Sequence, residues 1–138
     1  MNEINKEIRK GQNMYGNTAH NIYAQNNIGI ESPTKLIEML YEGVLRFNAQ
    51  AKKAIKDKNI EKKFYWANRS IAIITELIAT LDFKLNGDTS KYLMGLYNYQ
   101  IQLLSQAVVS DEIENVDEVS TVFKGLLDAW RESTNVAK

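Results

Sequence analysis

The chain has 138 residues, enough for one domain, with 44% hydrophobic and 25% charged residues, the balance of a folded protein rather than a disordered one. Seventeen basic residues cancel seventeen acidic ones, so the chain lacks the net positive charge that phosphate neutralisation calls for, and no nucleic-acid partner is expected. Cysteine is absent, which excludes disulfides, thiolate metal sites and cysteine nucleophiles. The polar start, Met1 to Glu7, does not read as a signal peptide. No apolar run approaches the ~18 residues of a membrane span. A cytoplasmic protein without membrane insertion is therefore expected.

Residues 1–17 are polar and Asn-rich and read as a flexible segment. Residues 18–28 could form two or three helical turns with Ala19, Tyr23 and Ile22 on one side, too short to be stable alone. Gly29-Ile30-Glu31 interrupts that piece. Ser32-Pro33 then opens the first long helix, with Ser32 as N-cap and Pro33 at the first helical position. Leu36, Leu40, Val44, Phe47, Ala51 and Ala54 follow at steps of three and four, one face of a helix ending near Lys56. Gly43 interrupts it at a cost of roughly 1 kcal/mol against Ala. Either close helix packing or a pocket floored by a small residue accounts for it.

Asp57-Lys58-Asn59 is a short polar turn, and Asn59 is placed to cap the next helix. That helix carries Phe64, Ala67, Ile71, Ile74, Ile78, Leu81 and Leu85, with Ile73 and Leu77 widening the stripe. Asn86-Gly87-Asp88 reads as a turn, with Gly87 as a left-handed cap and Asp88 capping a helix from about Thr89 to Val109. Leu93, Leu96, Tyr97, Ile101, Leu104, Ala107 and Val108 lie on that helix. Asp111 to Glu114 resembles a capping box before a last helix bearing Val116, Val119, Phe123, Leu126 and Trp130. A flexible tail is expected over 133–138.

Four long helices with short connections imply an all-α, antiparallel up-down-up-down four-helix bundle with a short additional N-terminal helix, a single domain over 18–132. Lysines crowd the first turn of this bundle (52, 53, 56, 58, 62 and 63) and carboxylates the third (111, 112, 114, 117 and 118). Both turns fall at one end, where they attract or simply face solvent.

Catalysis is not expected. A di-iron bundle needs two Glu-x-x-His motifs, and His20 is the only histidine. A histidine-based triad has no nucleophile placed beside it, and no glycine-rich phosphate loop is present. No catalytic residue, metal ligand or cofactor is assigned. The chain does have an excess of apolar and aromatic residues. Ile37, Tyr41, Ile73, Leu77, Tyr97 and Ile101 read as an outward set that either rims the core or forms grooves for an amphipathic helical peptide.

Several of these stretches together resemble one family. Ser32-Pro33-Thr34-Lys35-Leu36 followed by Leu40-Tyr41-Glu42-Gly43 is similar to the segment that opens the main helix of the flagellar secretion chaperones. Tyr23 precedes it. Leu81-Asp82 with Asn86-Gly87, then Leu93-x-x-Leu96-Tyr97-Asn98-Tyr99, and finally Ala129-Trp130 follow in the family's order, over roughly residues 15 to 131. Glu42 and Asn98 stand where the family favours Asp, and Asn86 where it favours Gly. The resemblance implies a chaperone that binds the C-terminal region of flagellin, prevents premature polymerisation and delivers the subunit to the flagellar type III secretion apparatus without ATP. Export machinery or a co-chaperone would be further partners. The client groove would comprise Tyr15, Tyr23, Ile37, Tyr41, Gly43, Ile73, Leu77, Leu93, Tyr97 and Ile101. Residues 15–28 would occupy one groove until the client displaces them. The alternative is a generic helical adaptor or self-associating bundle without flagellin specificity.

Overall fold

The computed structural model describes residues 32–135, and these form four helices: α1 Pro33–Lys56, α2 Ile60–Ala79, α3 Gly87–Ser110 and α4 Ile113–Asn135. Each packs on the next in the chain, and α1 also packs on α4, closing an all-α bundle. Contacts between α1 and α4 run in opposite register. The Trp130 indole donates to the Thr34 carbonyl at 3.0 Å, Asn48 meets Ser120, and Lys52 meets Asp117. The short helix expected over 18–28 lies outside the described residues.

α1 begins as its sequence dictates. The Ser32 hydroxyl accepts from the Lys35 amide at 3.2 Å, and Pro33 takes the first turn. Leu40, Val44, Ala51 and Ala54 are buried as their spacing requires, and Lys53 and Lys56 in the last turn oppose the helix dipole. Lys58 turns the chain in a left-handed conformation, φ 55°. The Asn59 side chain then accepts from the Lys62 amide at 3.0 Å, the cap that starts α2.

α2 departs from the apolar stripe. Its buried line is Lys63, Ala67, Ser70, Ile74 and Leu77, a seven-residue repeat that includes two polar residues. Phe64 is left exposed, and Ile71 and Ile78 only flank the core. The polar members are admitted because each has a partner across the bundle. Ser70 donates to the Asn48 side chain at 2.7 Å, and the Asn48 amide donates to the Ser120 hydroxyl at 3.1 Å. The Lys63 ammonium donates to the Asp111 carboxylate at 2.7 Å.

α2 also stops at Ala79, before Leu81 and Leu85. The Thr80 hydroxyl donates to the Leu77 carbonyl, and the Asp82 carboxylate accepts from the amides of Lys84 and Leu85. Such local bonds compete with helix continuation. Leu81 still packs against the core, but Leu85 is 80% exposed. Gly87 is not a left-handed cap: no described glycine has positive φ, and Gly87 is the first residue of α3. Asn86 holds the cap position without a side-chain bond, and Asp88 sits in the first turn, where its charge favours the helix N-terminus.

The capping box expected at Asp111 is likewise not formed. Asp111 adopts φ 56° and ends α3, and its carboxylate serves Lys63 instead. The two charged turns do meet at one end, through Lys52–Asp117 and Lys63–Asp111, both at 2.7 Å. Along α4, Val116, Val119 and Phe123 are buried, and Leu127 goes deeper than Leu126. The helix runs on through Ser133 to Asn135.

Candidate functional site

The main core cluster surrounds Phe123. The Tyr97 ring stacks on it with centroids 6.1 Å apart, and the Tyr41 ring meets it edge-on at 5.9 Å. The two tyrosine hydroxyls bond to each other at 2.7 Å. Tyr41 is 4% and Tyr97 2% exposed, so the expectation of an outward position for them is corrected. Each hydroxyl is a polar tip that would be costly to bury alone, and the pair satisfies both tips at once. Burial pushes both phenols above their ordinary pKa, and for Tyr97 the neighbouring Tyr41 adds to the rise.

Above this pair the bundle end opens into a cavity of about 370 Å3. Its walls come from four separate stretches of chain. α1 gives Pro33, Leu36 and Ile37; the α2–α3 connection gives Leu81; α3 gives Leu93; α4 gives Trp130. The surface is largely apolar, and Asp82, Asn86, Thr89 and Ser90 supply a polar border. That border is tied down, because Ser90 donates to the Asp82 carbonyl at 3.0 Å while the Asp82 carboxylate holds the turn. Trp130 is fixed by its bond to the Thr34 carbonyl. Beside it, Arg131 reaches Glu38 at 2.9 Å and Glu42 at 3.3 Å. The hydrogen bond from Arg131 is the chief reason that the Glu38 carboxyl lies below its ordinary pKa. A fixed apolar trough with a polar rim suits the apolar face of a helical peptide.

Of the residues chosen from sequence, Ile37, Tyr41, Leu93 and Tyr97 come together at this groove, the two tyrosines as its floor. Leu77 and Gly43 are buried in the bundle and do not line it. Ile73 and Ile101 pack half-buried against the same core but away from the opening. Tyr15 and Tyr23 lie outside the described residues. Leu36, Leu81 and Trp130 were read as seam residues, yet they form the walls. The signal for Trp130 was its position near the end of the last helix, which in an antiparallel pairing returns to the start of α1. Among the described residues, no group of three or more His, Asp or Glu side chains is placed to hold a metal ion, and no helix is long and apolar enough to cross a membrane.

Comparison with known proteins gives this groove a family context. The family model described as flagellar protein FliS matches residues 15–137. The flagellar secretion chaperone FliS of Campylobacter jejuni is 53% identical over 122 residues, spanning 88% of this chain and 95% of that protein. The flagellar secretion chaperone FliS of Escherichia coli is 32% identical over 127 residues, spanning 87% and 92%. A solved structure described as a flagellar chaperone from bacteria superposes with a TM-score of 0.70 at 21% identity, covering 86% of this chain and 96% of that one, a likeness of fold. By the extent of the family match and the identity to these relatives, the chain belongs to the FliS family of flagellar secretion chaperones, with a role in flagellar export.

Proposed function

We propose that this chain is a cytoplasmic export chaperone that binds the C-terminal region of flagellin in the groove above the Tyr41–Tyr97 pair. Bound there, the client segment is kept from polymerising and is handed to the flagellar type III secretion apparatus. The observation that carries this reading is the apolar cavity of about 370 Å3, walled by Ile37, Leu81, Leu93 and Trp130 over a satisfied tyrosine floor. It offers an amphipathic helix sites for side chains spaced one turn apart. The client pays an ordering cost when it folds on the chaperone, and burial of its apolar face offsets that cost. Binding and release need no covalent chemistry, so neither ATP nor a catalytic residue is assigned.

The test is a calorimetric titration with a peptide spanning the flagellin C-terminal region, at several temperatures, followed by circular dichroism. A negative heat-capacity change with gained helicity is the expected result. Leu93→Ala and Ile37→Ala each remove apolar wall surface and should weaken binding about tenfold, equivalent to ~1.4 kcal/mol. Absence of heat and of added helix at every temperature would overturn the reading. Concentration-dependent mass without peptide binding would put a self-associating adaptor in its place.

A further inference from the structure

We propose that the α1–α2 face, away from the client groove, is a docking surface for an acidic helical segment of a partner protein. The surface is built on Phe47, Tyr65 and Trp66. Phe47 stacks on Trp66 with centroids 5.6 Å apart, and Tyr65 meets Trp66 edge-on at 4.9 Å. Two arginines lie over these rings. The Arg69 guanidinium is 4.9 Å from the Phe47 centroid and 5.5 Å from that of Tyr65, and it donates to the Tyr65 hydroxyl at 3.3 Å. Arg46 lies 5.7 Å from the Phe47 centroid. A cavity of about 180 Å3 continues the face beside Trp66, with Lys53 and Lys62 at its edge.

Arg46, Lys53, Lys62 and Arg69 gather on this face. Lys52, Lys63 and Arg131 each reach a carboxylate across the helices. Among the described residues, Arg46, Lys53, Lys62 and Arg69 form no ion pair. Asp57 at the cavity edge and Glu61 in the first turn of α2 are the nearby carboxylates in sequence, and neither pairs with these cations. Four unpaired cations around an aromatic platform therefore call for carboxylates from outside.

Phe47 is covered by Trp66 and the guanidinium groups, and the chain as a whole carries no net positive charge to neutralise a phosphate backbone, which favours a protein over a nucleic acid. The exposed Arg46 guanidinium forms no ion pair, and a guanidinium held on a ring is pre-organised for a planar carboxylate. Trp, Tyr and Arg are also the residues that dominate protein interfaces. An amphipathic helix with carboxylates one turn apart, and an apolar side chain between them over Trp66, matches this pattern. The site lies ~15 Å along α1 from Ile37, at 1.5 Å per residue, so client and partner can bind together.

The test uses NMR titration of the isotope-labelled full chain with a stapled helical peptide bearing two Glu four residues apart and a central Leu. A Gln analogue and a uridine oligonucleotide serve as comparison probes. The expected result is that amide and indole shifts centre on Phe47, Tyr65, Trp66 and Arg69, with the Gln analogue at least tenfold weaker. R46E, an exposed change that leaves the fold intact, should weaken the acidic peptide at least tenfold while leaving flagellin-peptide binding unchanged. The proposal is overturned by equal binding of the acidic and Gln peptides, by no shifts on this face, or by an oligonucleotide that binds it as tightly as the acidic peptide. None of these outcomes bears on the client groove, so the two readings fail separately.

Discussion

The tyrosine pair under the groove is open to a sharp thermodynamic test. Tyr41→Phe keeps the ring that meets Phe123 edge-on and removes only the hydroxyl, 2.7 Å from that of Tyr97. A buried polar group that loses its partner costs about 1–3 kcal/mol. Tyr97 lines the groove, and a cost in the lower half of that range, ~1–2 kcal/mol, is expected. Tyr97→Phe should cost a similar amount, because it strands Tyr41. In the double variant both polar groups leave together and the ring shapes stay. Its stability should fall within ~1 kcal/mol of the parent, against the ~2–4 kcal/mol that additive singles would give. Urea unfolding followed by circular dichroism reads these differences as midpoint shifts at constant slope. Alkaline pH gives an independent check. Both phenols have raised pKa values in the folded state through burial, so the native chain holds protons that the unfolded chain releases above about pH 10. Stability should therefore fall as pH rises through that value, and less steeply in the double variant. Singles without cost, or a double variant as unstable as the sum, would refute the reasoning.

Three other outcomes follow from the same structure. Asn48→Ala strands the fully buried Ser70 hydroxyl and opens a small void, so it should cost about 2–4 kcal/mol, while Asn48→Leu with Ser70→Ala should recover much of that in a denaturation series. Glu76 is buried with Oε2 unpartnered, and desolvation raises its pKa above the ordinary 4.5, so native stability falls as pH rises from that value. Glu76→Gln should melt higher than the parent at pH 7, with the gap closing as pH drops towards 4.5; an unchanged gap would show that ionisation is not the cause. Deleting residues 1–28 should tighten flagellin-peptide binding in the calorimeter if residues 15–28 compete for the groove, by the fraction of chaperone they keep closed; equal or weaker binding would remove that competition.

Local chemistry in the sequence settled where α1 and α2 begin and that the fold is all-α. Ser32 with Pro33, and Asn59, cap α1 and α2 through their own side chains, and such signals need no distant partner. The pairing of the two charged turns was also legible, because short connections fix which ends meet. The stripe of α2 was not. Apolar spacing counts only apolar residues, so Phe64, Ile71 and Ile78 outweighed Lys63 and Ser70. The polar pair became core because Asp111 and Asn48 satisfy them from other helices. Tyr41 and Tyr97 misled in the same way: each looks amphipathic alone, and only their meeting 56 residues apart makes both buried. Of the residues named for a client groove from the sequence, four border the apolar cavity of the structure. Its walls were decided by tertiary structure, which brings the start of α1, the turn after α2, the first half of α3 and Trp130 to one end of the bundle. The starts of α1 and α2 are encoded within a few residues, whereas a groove is a property of packing between segments that no local pattern brings together.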